Sequence, residues 1–319
     1  MPLSDRRDLG SSGLRVSPLC LGGNVFGWAA DEEASFAVLD AYVAAGGNFV
    51  DTANIYSGWV PGNEGGESET IIGRWLASRG RPDDLVIATK VGMATGKFPK
   101  GLRRDQIRAG IEGSLERLGL DRVDLFWAHE DDAETTFHET MGAFDELVSE
   151  GLVGAVAASN IPAGRLAEAL QVSEAEGLVA YTAVQPHFNL LDRAGYSGDL
   201  EELCRARGLG VTPYFALARG FLAGKYRQGE PLPDTPRAPG VERDYMNDRG
   251  WHMLAAVEEI AAAHGATAAQ VALAWLMARP GVTSPIASAT TPEQLRELAG
   301  AADVTLSQQE YDRLDAAGA

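Results

Sequence analysis

Short apolar runs recur along the chain, spaced so that one helix fits between each pair. They are Leu19-Cys20-Leu21, Asn48-Phe49-Val50, Leu85-Val86-Ile87-Ala88, Leu125-Phe126-Trp127, Ala155-Val156-Ala157, Thr182-Ala183-Val184, Gly210-Val211-Thr212 and Ser284-Pro285-Ile286. Continuous runs of this length suit strands buried on both faces. Helical patterns fill 32–45, 68–78, 104–118, 139–150, 162–176, 198–207, 253–264 and 267–277. Asp31 is placed to cap the first, with Phe36, Leu39, Tyr42 and Val43 on one face and Gly46 as its stop. A closing helix follows Thr305-Leu306, where Ser307 and Glu310 have capping-box spacing. Strands alternating with helices specify a parallel sheet with crossovers. A length of 319 residues fits one α/β domain, 1–319, folded as a (β/α)8 TIM barrel. An open doubly wound sheet is the competitor, but it usually carries a Gly-rich turn after its first strand. The turn here, Leu21-Gly22-Gly23-Asn24-Val25-Phe26-Gly27, is not GxGxxG. Arg7 to Val16 reads as an N-terminal β-hairpin able to plug one barrel end. Arg227 to Gly250, rich in Pro, Gly and charge, reads as a long loop after the seventh strand, on the face where barrel active sites lie.

Charge narrows the ligand. With 27 Lys+Arg against 45 Asp+Glu the net charge is −18. Phosphate-rich partners are repelled by such a field, which argues against nucleic acid and anionic membrane. No run of 18 apolar residues predicts a spanning helix. The first eight residues do not read as a secretory signal, so the expected location is cytoplasmic. The two cysteines, Cys20 and Cys204, make neither a disulfide framework nor a metal set. A small molecule is the expected ligand, and no metal is expected.

Ionisable residues sit at the ends of three strands: Asp51 at the second, Lys90 at the third and His129 at the fourth, with Tyr56 in the loop after Asp51. Singly, each has an ordinary reading: a turn cap, a snorkelling lysine, a loop histidine, a rim aromatic. Together they compose a proton donor. A phenol gives the proton, an ammonium beside it favours phenolate, a carboxylate holds the ammonium, and an imidazole lies nearby.

The chain resembles the aldo-keto reductase family over nearly its whole length. Gly47-Asn48-Phe49-Val50-Asp51-Thr52-Ala53-Asn54-Ile55-Tyr56 is similar to GxNFxDTAxxY, and Gly66-Glu67-Ser68-Glu69 with Gly73 to GxSExxxG. Val86 to Gly92 resembles the segment of the catalytic lysine, and Asp124 to His129 resembles DLxxxH. Ala158-Ser159-Asn160, Gln185 to Leu191, Tyr214 to Tyr226 and Thr291 to Leu295 resemble later cofactor segments. The resemblance implies a barrel that binds an extended nicotinamide cofactor and reduces an aldehyde or ketone to an alcohol. It implies Asp51, Tyr56, Lys90 and His129 as the catalytic tetrad. It implies Ser159, Asn160 and Gln185 on the nicotinamide carboxamide, Tyr214 stacked on its ring, Leu217 and Gly220 near the pyrophosphate, and Gln294 on the adenine.

Some positions depart from the family pattern. Phe188 stands for Tyr, Phe215-Ala216 for Ser-Pro, Ile161 for an aromatic and Leu298 for Asn. Ser288 stands where Gly is common, and no basic residue lies from Pro285 to Gln294. Charge-assisted bonds to the 2′-phosphate favour NADP, and with Arg219 or an arginine of the 227–250 segment as the compensating charge NADP(H) is the expected cofactor. NAD(H) is the rival. Loops 26–28, 57–65, 130–137 and 227–250 are expected to set the substrate. Trp28, Trp59 and Trp127 are candidate walls of a pocket for an apolar or sugar-stacking substrate, each equally readable as ordinary packing, and Glu130-Asp131-Asp132 read first as a solvated acidic loop, with a rim that disfavours anionic substrates as the alternative. With no long tail after the last helix, an open site for a polar or bulky carbonyl is expected, a sugar among them. The competing reading is a cofactor-sensing regulatory subunit with slow turnover. Nothing in the sequence indicates an oligomeric state.

Overall fold

A computed structural model describes residues 2–318. Eight parallel strands form one sheet: β3 (Cys20–Gly22), β4 (Phe49–Asp51), β5 (Val86–Val91), β6 (Val123–Ala128), β7 (Val153–Ser159), β8 (Ala183–Gln185), β9 (Gly210–Val211) and β10 (Ile286–Ala287). β10 lies beside β3, and the others follow in sequence order to β9. The ring closes between β9 and the approach to β10: Val211 bridges Val282 in parallel, and Ile286 N–H donates to Pro213 O at 2.8 Å. The barrel expected from the alternation is therefore present.

Period-two alternation sorts the strand residues between two cores. Phe49, Ala88, Leu125, Trp127, Ala155, Ala157 and Ala183 pack together inside the ring. Val50, Ile87, Phe126, Val156 and Val184, one residue out of step, pack against the surrounding helices. This parity positions the site. Asp51, Lys90, His129, Ser159 and Gln185 continue the inward-facing series at the C-terminal strand ends.

β1 (Arg7–Asp8) and β2 (Arg15–Val16) form the antiparallel hairpin, and Leu9 and Val16 are fully buried in the inner core as its plug. Gly10 is obligatory in this hairpin: its φ is +54°, and a Cβ there would sit 2.1 Å from Thr182 O.

The helices are α1 (Glu32–Ala44), α2 (Glu67–Arg79), α3 (Arg104–Leu118), α4 (Phe137–Ser149), α5 (Ala163–Glu176), α6 (Asp199–Arg207), α7 (Ala238–Tyr245), α8 (Asp248–His264), α9 (Ala268–Ala278), α10 (Pro292–Ala299) and α11 (Gln308–Ala317). Asp31 caps α1 by accepting from Ala34 N–H, and Ser307 with Glu310 forms the capping box of α11. Three expectations change. The buried face of α1 is Ser35, Val38, Leu39 and Tyr42; Phe36 and Val43 lie at its margin, where the Arg79 guanidinium covers Phe36 at 5.9 Å. The 227–250 segment is not all loop. It holds α7, with a Pro in its first turn, and the start of α8, whose cap Asn247 accepts from Gly250 N–H. α10 also goes beyond the helices read from pattern; its signal was Thr291 as cap with Pro292 at the first helical position. Among the described residues no single helix is long and apolar enough to cross a membrane.

Candidate active site

The C-terminal strand ends open into a cleft of about 810 Å³, within the usual range for small-ligand sites. Asp51, Tyr56 and His129 line it, and Lys90 lies beneath them, fully buried. Lys90 Nζ makes three hydrogen bonds: to Asp51 Oδ2 at 2.5 Å, to Thr52 O at 2.7 Å and to Tyr56 OH at 2.8 Å. An ammonium has three N–H donors, so this geometry satisfies it completely. The second Asp51 oxygen accepts from Gln185 Nε2 at 3.1 Å. His129 stands edge-to-face with Tyr56, ring centroids 6.0 Å apart, and its Nδ1 is buried without a partner.

The electrostatics differ from the expectation at one point. Burial pushes the Tyr56 phenol well above its ordinary pKa, and the Asp51 charge adds to the rise. The Lys90 ammonium, hydrogen-bonded to the phenol oxygen at 2.8 Å, favours tyrosinate but does not reverse that rise. The phenol accordingly keeps its proton at neutral pH. Burial also lifts the Asp51 carboxyl and lowers the Lys90 ammonium, each opposed by its partner. Burial, then the nearby Lys90 charge, holds the His129 imidazole well below 6.5. His129 is therefore neutral at physiological pH and carries a single ring N–H to donate.

From Asp51 a hydrogen-bonded chain runs across the barrel. Ser159 Oγ donates to Gln185 O at 2.9 Å, and Asn160 Nδ2 donates to Ser159 Oγ at 3.1 Å and to His129 O at 2.9 Å. Asn160 Oδ1 accepts from Tyr214 OH at 2.7 Å. Ser159, Asn160, Gln185 and Tyr214, chosen separately from motifs, thus form one network. Behind Tyr214, His187 lies stacked at 5.2 Å.

Leu217, Arg219 and Gly220 line the cleft on the turn after β9. Phe215, Ala218 and Arg219 have φ of +53°, +48° and +57°, and Ser57 and Asn160 are the other non-glycine residues with positive φ among those described. All five lie in the loops around the cleft. Strain of this kind persists where function requires a particular backbone. Ser288 and Gln294 line the far end; Ser288 Oγ donates to Asn24 Oδ1 at 2.6 Å, and Gln294 Oε1 accepts from Thr290 N–H at 2.9 Å.

Basic charge also lines the cleft, from residues that no motif near Thr290 could supply. Lys225 and Arg237 both line the cleft. Arg237 Nη2 is buried with no hydrogen-bond partner. Arg219 is partly committed, 3.4 Å from Asp244 and over the Phe215 ring at 4.9 Å. The sequence points to Arg219 by position and to the 227–250 segment only for an unspecified arginine. Lys225 was visible inside the Gly224-Lys225-Tyr226 run but was not singled out. Arg237 could not be chosen over its neighbours without α7, which it immediately precedes.

Two expected walls are absent. Trp127 is fully buried in the inner core, because its strand position faces inward below the cleft. The acidic rim is spent elsewhere: Glu130 pairs with Lys100 at 3.1 Å, Asp131 with Arg165 at 2.8 Å, and Asp132 accepts from Leu102 N–H and Thr135 Oγ1. None of the three lines the cleft. Among the described residues no cluster of His, Cys, Asp or Glu is arranged to hold a metal ion.

Residues 18–319 match the model of the Aldo/keto reductase family. The chain belongs to the aldo/keto reductase family. It is 35% identical over 311 residues to the uncharacterized oxidoreductase YrpG of Bacillus subtilis, covering 94% of this chain and 92% of that protein. It is 34% identical over 319 residues to a probable voltage-gated potassium channel subunit beta of Oryza sativa, covering 97% and 95%. It is 33% identical over 320 residues to the norsolorinic acid reductase stcV of Emericella nidulans, covering 95% and 79%. As an aldo/keto reductase it has the oxidoreductase fold of a family that uses NAD(P)H.

Proposed function

We propose that this protein reduces an aldehyde or ketone with a nicotinamide cofactor, using Tyr56 as the proton donor. The observation that carries the reading is Lys90, whose three donors bind Asp51, the Thr52 carbonyl and the Tyr56 oxygen at the floor of the cleft.

The donor set suits a dinucleotide. Ser159, Asn160 and Gln185 offer amide and hydroxyl groups to a carboxamide, and Tyr214 offers a ring face. Leu217, Arg219 and Gly220 lie on a turn of left-handed backbone of the kind that presents N–H groups to anions. The unpaired Arg237 Nη2 and the Lys225 ammonium suit phosphate. These two cations favour NADP(H) over NAD(H), in a molecule whose net charge of −18 supplies no long-range attraction for a polyanion.

A reduced nicotinamide, when bound, supplies hydride to the carbonyl carbon. The chain does the rest. Charge grows on the carbonyl oxygen, and Tyr56 O–H donates its proton there. The tyrosinate that results is stabilised by the Lys90 N–H already aimed at it, a donor that needs no reorganisation. Asp51 keeps Lys90 charged and fixed. Neutral His129 donates its one N–H to the carbonyl oxygen and orients it.

A second reading, a cofactor-sensing subunit of slow turnover, draws on the 34% identity to the Oryza sativa protein named as a probable channel subunit beta. Oxidation of NADPH and NADH followed at 340 nm against a panel of carbonyls separates the two. Turnover with at least one carbonyl supports the reductase; tight cofactor binding with none supports the sensor.

A further inference from the structure

We propose that Ser68 and Glu69, in the first turn of α2, are positioning residues for Lys90: from outside the barrel they hold Thr52 and Thr89, the two residues that fix where its ammonium points. The inference rests on the reductase reading above and deepens it.

Parity puts the neighbour of each inward-facing strand-end residue on the outer side of the sheet. Thr52 follows Asp51, and Thr89 precedes Lys90. Both threonines are fully buried, as are Ser68 and Glu69. Ser68 Oγ donates to Gly23 O at 2.8 Å. A hydroxyl has one hydrogen to give, so in the 2.8 Å contact between Thr52 Oγ1 and Ser68 Oγ the threonine is the donor. Thr89 Oγ1 donates to Glu69 Oε1, and Arg117 Nε donates to Glu69 Oε2 at 2.6 Å. Adjacent residues of one helical turn thus grip the C-terminal ends of two adjacent strands, β4 and β5.

Thr52 works on both sides of the sheet. Its hydroxyl is held by Ser68 outside, while its carbonyl accepts from Lys90 Nζ at 2.7 Å inside. Its N–H donates to Ala88 O at 2.8 Å, and Asp51 O accepts from Gly23 N–H at 2.8 Å. Thr89 anchors the strand at the base of the flexible lysine stem. A lysine has rotamer freedom to lose before its N–H meets the Tyr56 oxygen. A fixed base and a fixed acceptor remove it.

Missing side chains let α2 come this close. A Cβ at Gly23 would sit 2.8 Å from Ser68 Oγ, and one at Gly73 would sit 2.2 Å from Arg117 O. The second approach packs α2 on α3 and brings Arg117 to Glu69. Buried ion pairs add little stability over apolar residues of the same volume; what this one supplies is direction. Ser159, Asn160, Gln185 and Tyr214, which suit the nicotinamide, lie on other elements. Loosening the brace misdirects a donor needed as charge reaches Tyr56, and it leaves cofactor binding alone.

The test uses the full chain and follows single-turnover reduction of a good carbonyl substrate, which reports chemistry rather than product release. The Kd of the nicotinamide cofactor is measured beside it by fluorescence titration. Thr52→Val and Thr89→Val keep the side chain's shape and remove its hydroxyl. Each is expected to slow hydride transfer about tenfold, the scale of one buried hydrogen bond, with the cofactor Kd unchanged. Thr52→Ser and Thr89→Ser keep the hydroxyl and are expected to keep most of the wild-type rate. Ser68→Ala removes the Thr52 bond from the helix side and carries the test where Thr52→Val does not fold. It is expected to match Thr52→Val, and the double variant to be no slower than either single one. A near-wild-type rate in either valine variant or in Ser68→Ala overturns the brace and leaves the reductase standing. Serine variants as slow as the valine ones, or a loss that falls on the cofactor Kd and not on the rate, do the same. Cofactor binding with no turnover of any carbonyl by the wild type overturns the reductase reading and this proposal with it.

Discussion

Replacing Asp51 by Asn keeps the side chain's shape and removes its charge. The pair it forms with Lys90 has essentially no exposure, 1% and 0% for the two side chains. Breaking a buried pair by removing one partner typically costs about 3–5 kcal/mol, because the other charge is left uncompensated. The loss should depend on pH, with a definite sign. Burial already lowers the Lys90 pKa from 10.5, and the Asp51 charge is the main force opposing that shift. Without it the folded-state pKa falls further. A lysine whose folded pKa lies below its unfolded value takes up a proton on unfolding, so stability rises with pH between the two values. The slope for one proton is about 1.4 kcal/mol per pH unit. The deficit of Asp51→Asn relative to wild type is therefore greatest near neutral pH and shrinks in the alkaline range. Urea denaturation followed by tryptophan fluorescence, at neutral pH and again near the Lys90 unfolded pKa, measures both quantities. A deficit that is the same at both pH values refutes the argument. So does one below about 1 kcal/mol, the scale of an exposed pair.

Glu69→Ala should destabilise the fold by about 3 kcal/mol, because the fully buried carboxylate accepts from Thr89 Oγ1 and from Arg117 Nε; an unchanged denaturation midpoint contradicts this. Arg237→Ala should raise the Kd for NADPH about tenfold or more, the scale of one hydrogen bond to a charged group, as read by fluorescence titration; an unchanged Kd removes Arg237 from the phosphate site. His129 has its pKa held below 6.5 by burial and by Lys90, so it stays neutral as pH falls through that value. The kcat/KM profile should show no acid limb near 6.5, and a limb there that disappears in His129→Gln contradicts the assignment.

The barrel was legible because its strands are short, apolar and evenly spaced, and because parity at a strand end is inherited from the strand. Asp51, Lys90 and His129 could be placed together because each ends a strand, whereas Ser159 and Gln185 came only from the family resemblance and their shared parity with the other three is visible in the structure. Residues on long connections carry no such constraint. Arg237 reaches the cleft only because α7 forms within the 227–250 segment, and its guanidinium lies 5.6 Å from the Trp28 ring, far away in sequence. Trp127 misled for the opposite reason. It belongs to a strand whose inward face is core below the cleft, and depth along the barrel axis leaves no mark in hydrophobic pattern. The acidic run 130–132 left both a solvated loop and a rim open because its partners, Lys100 and Arg165, lie far away in sequence. The direction of the Tyr56 shift is set first by the depth at which the phenol is buried and then by the Asp51 charge, neither of which the sequence shows.

Single-turnover reduction by Tyr56→Phe tests the central claim most directly. The variant keeps the ring and the cleft and removes only the O–H. Cofactor should bind with its wild-type Kd, and hydride transfer to a good carbonyl substrate should slow by about a hundredfold or more, the scale of general acid catalysis. Reduction at a rate near that of the wild type would show that Tyr56 is not the proton donor.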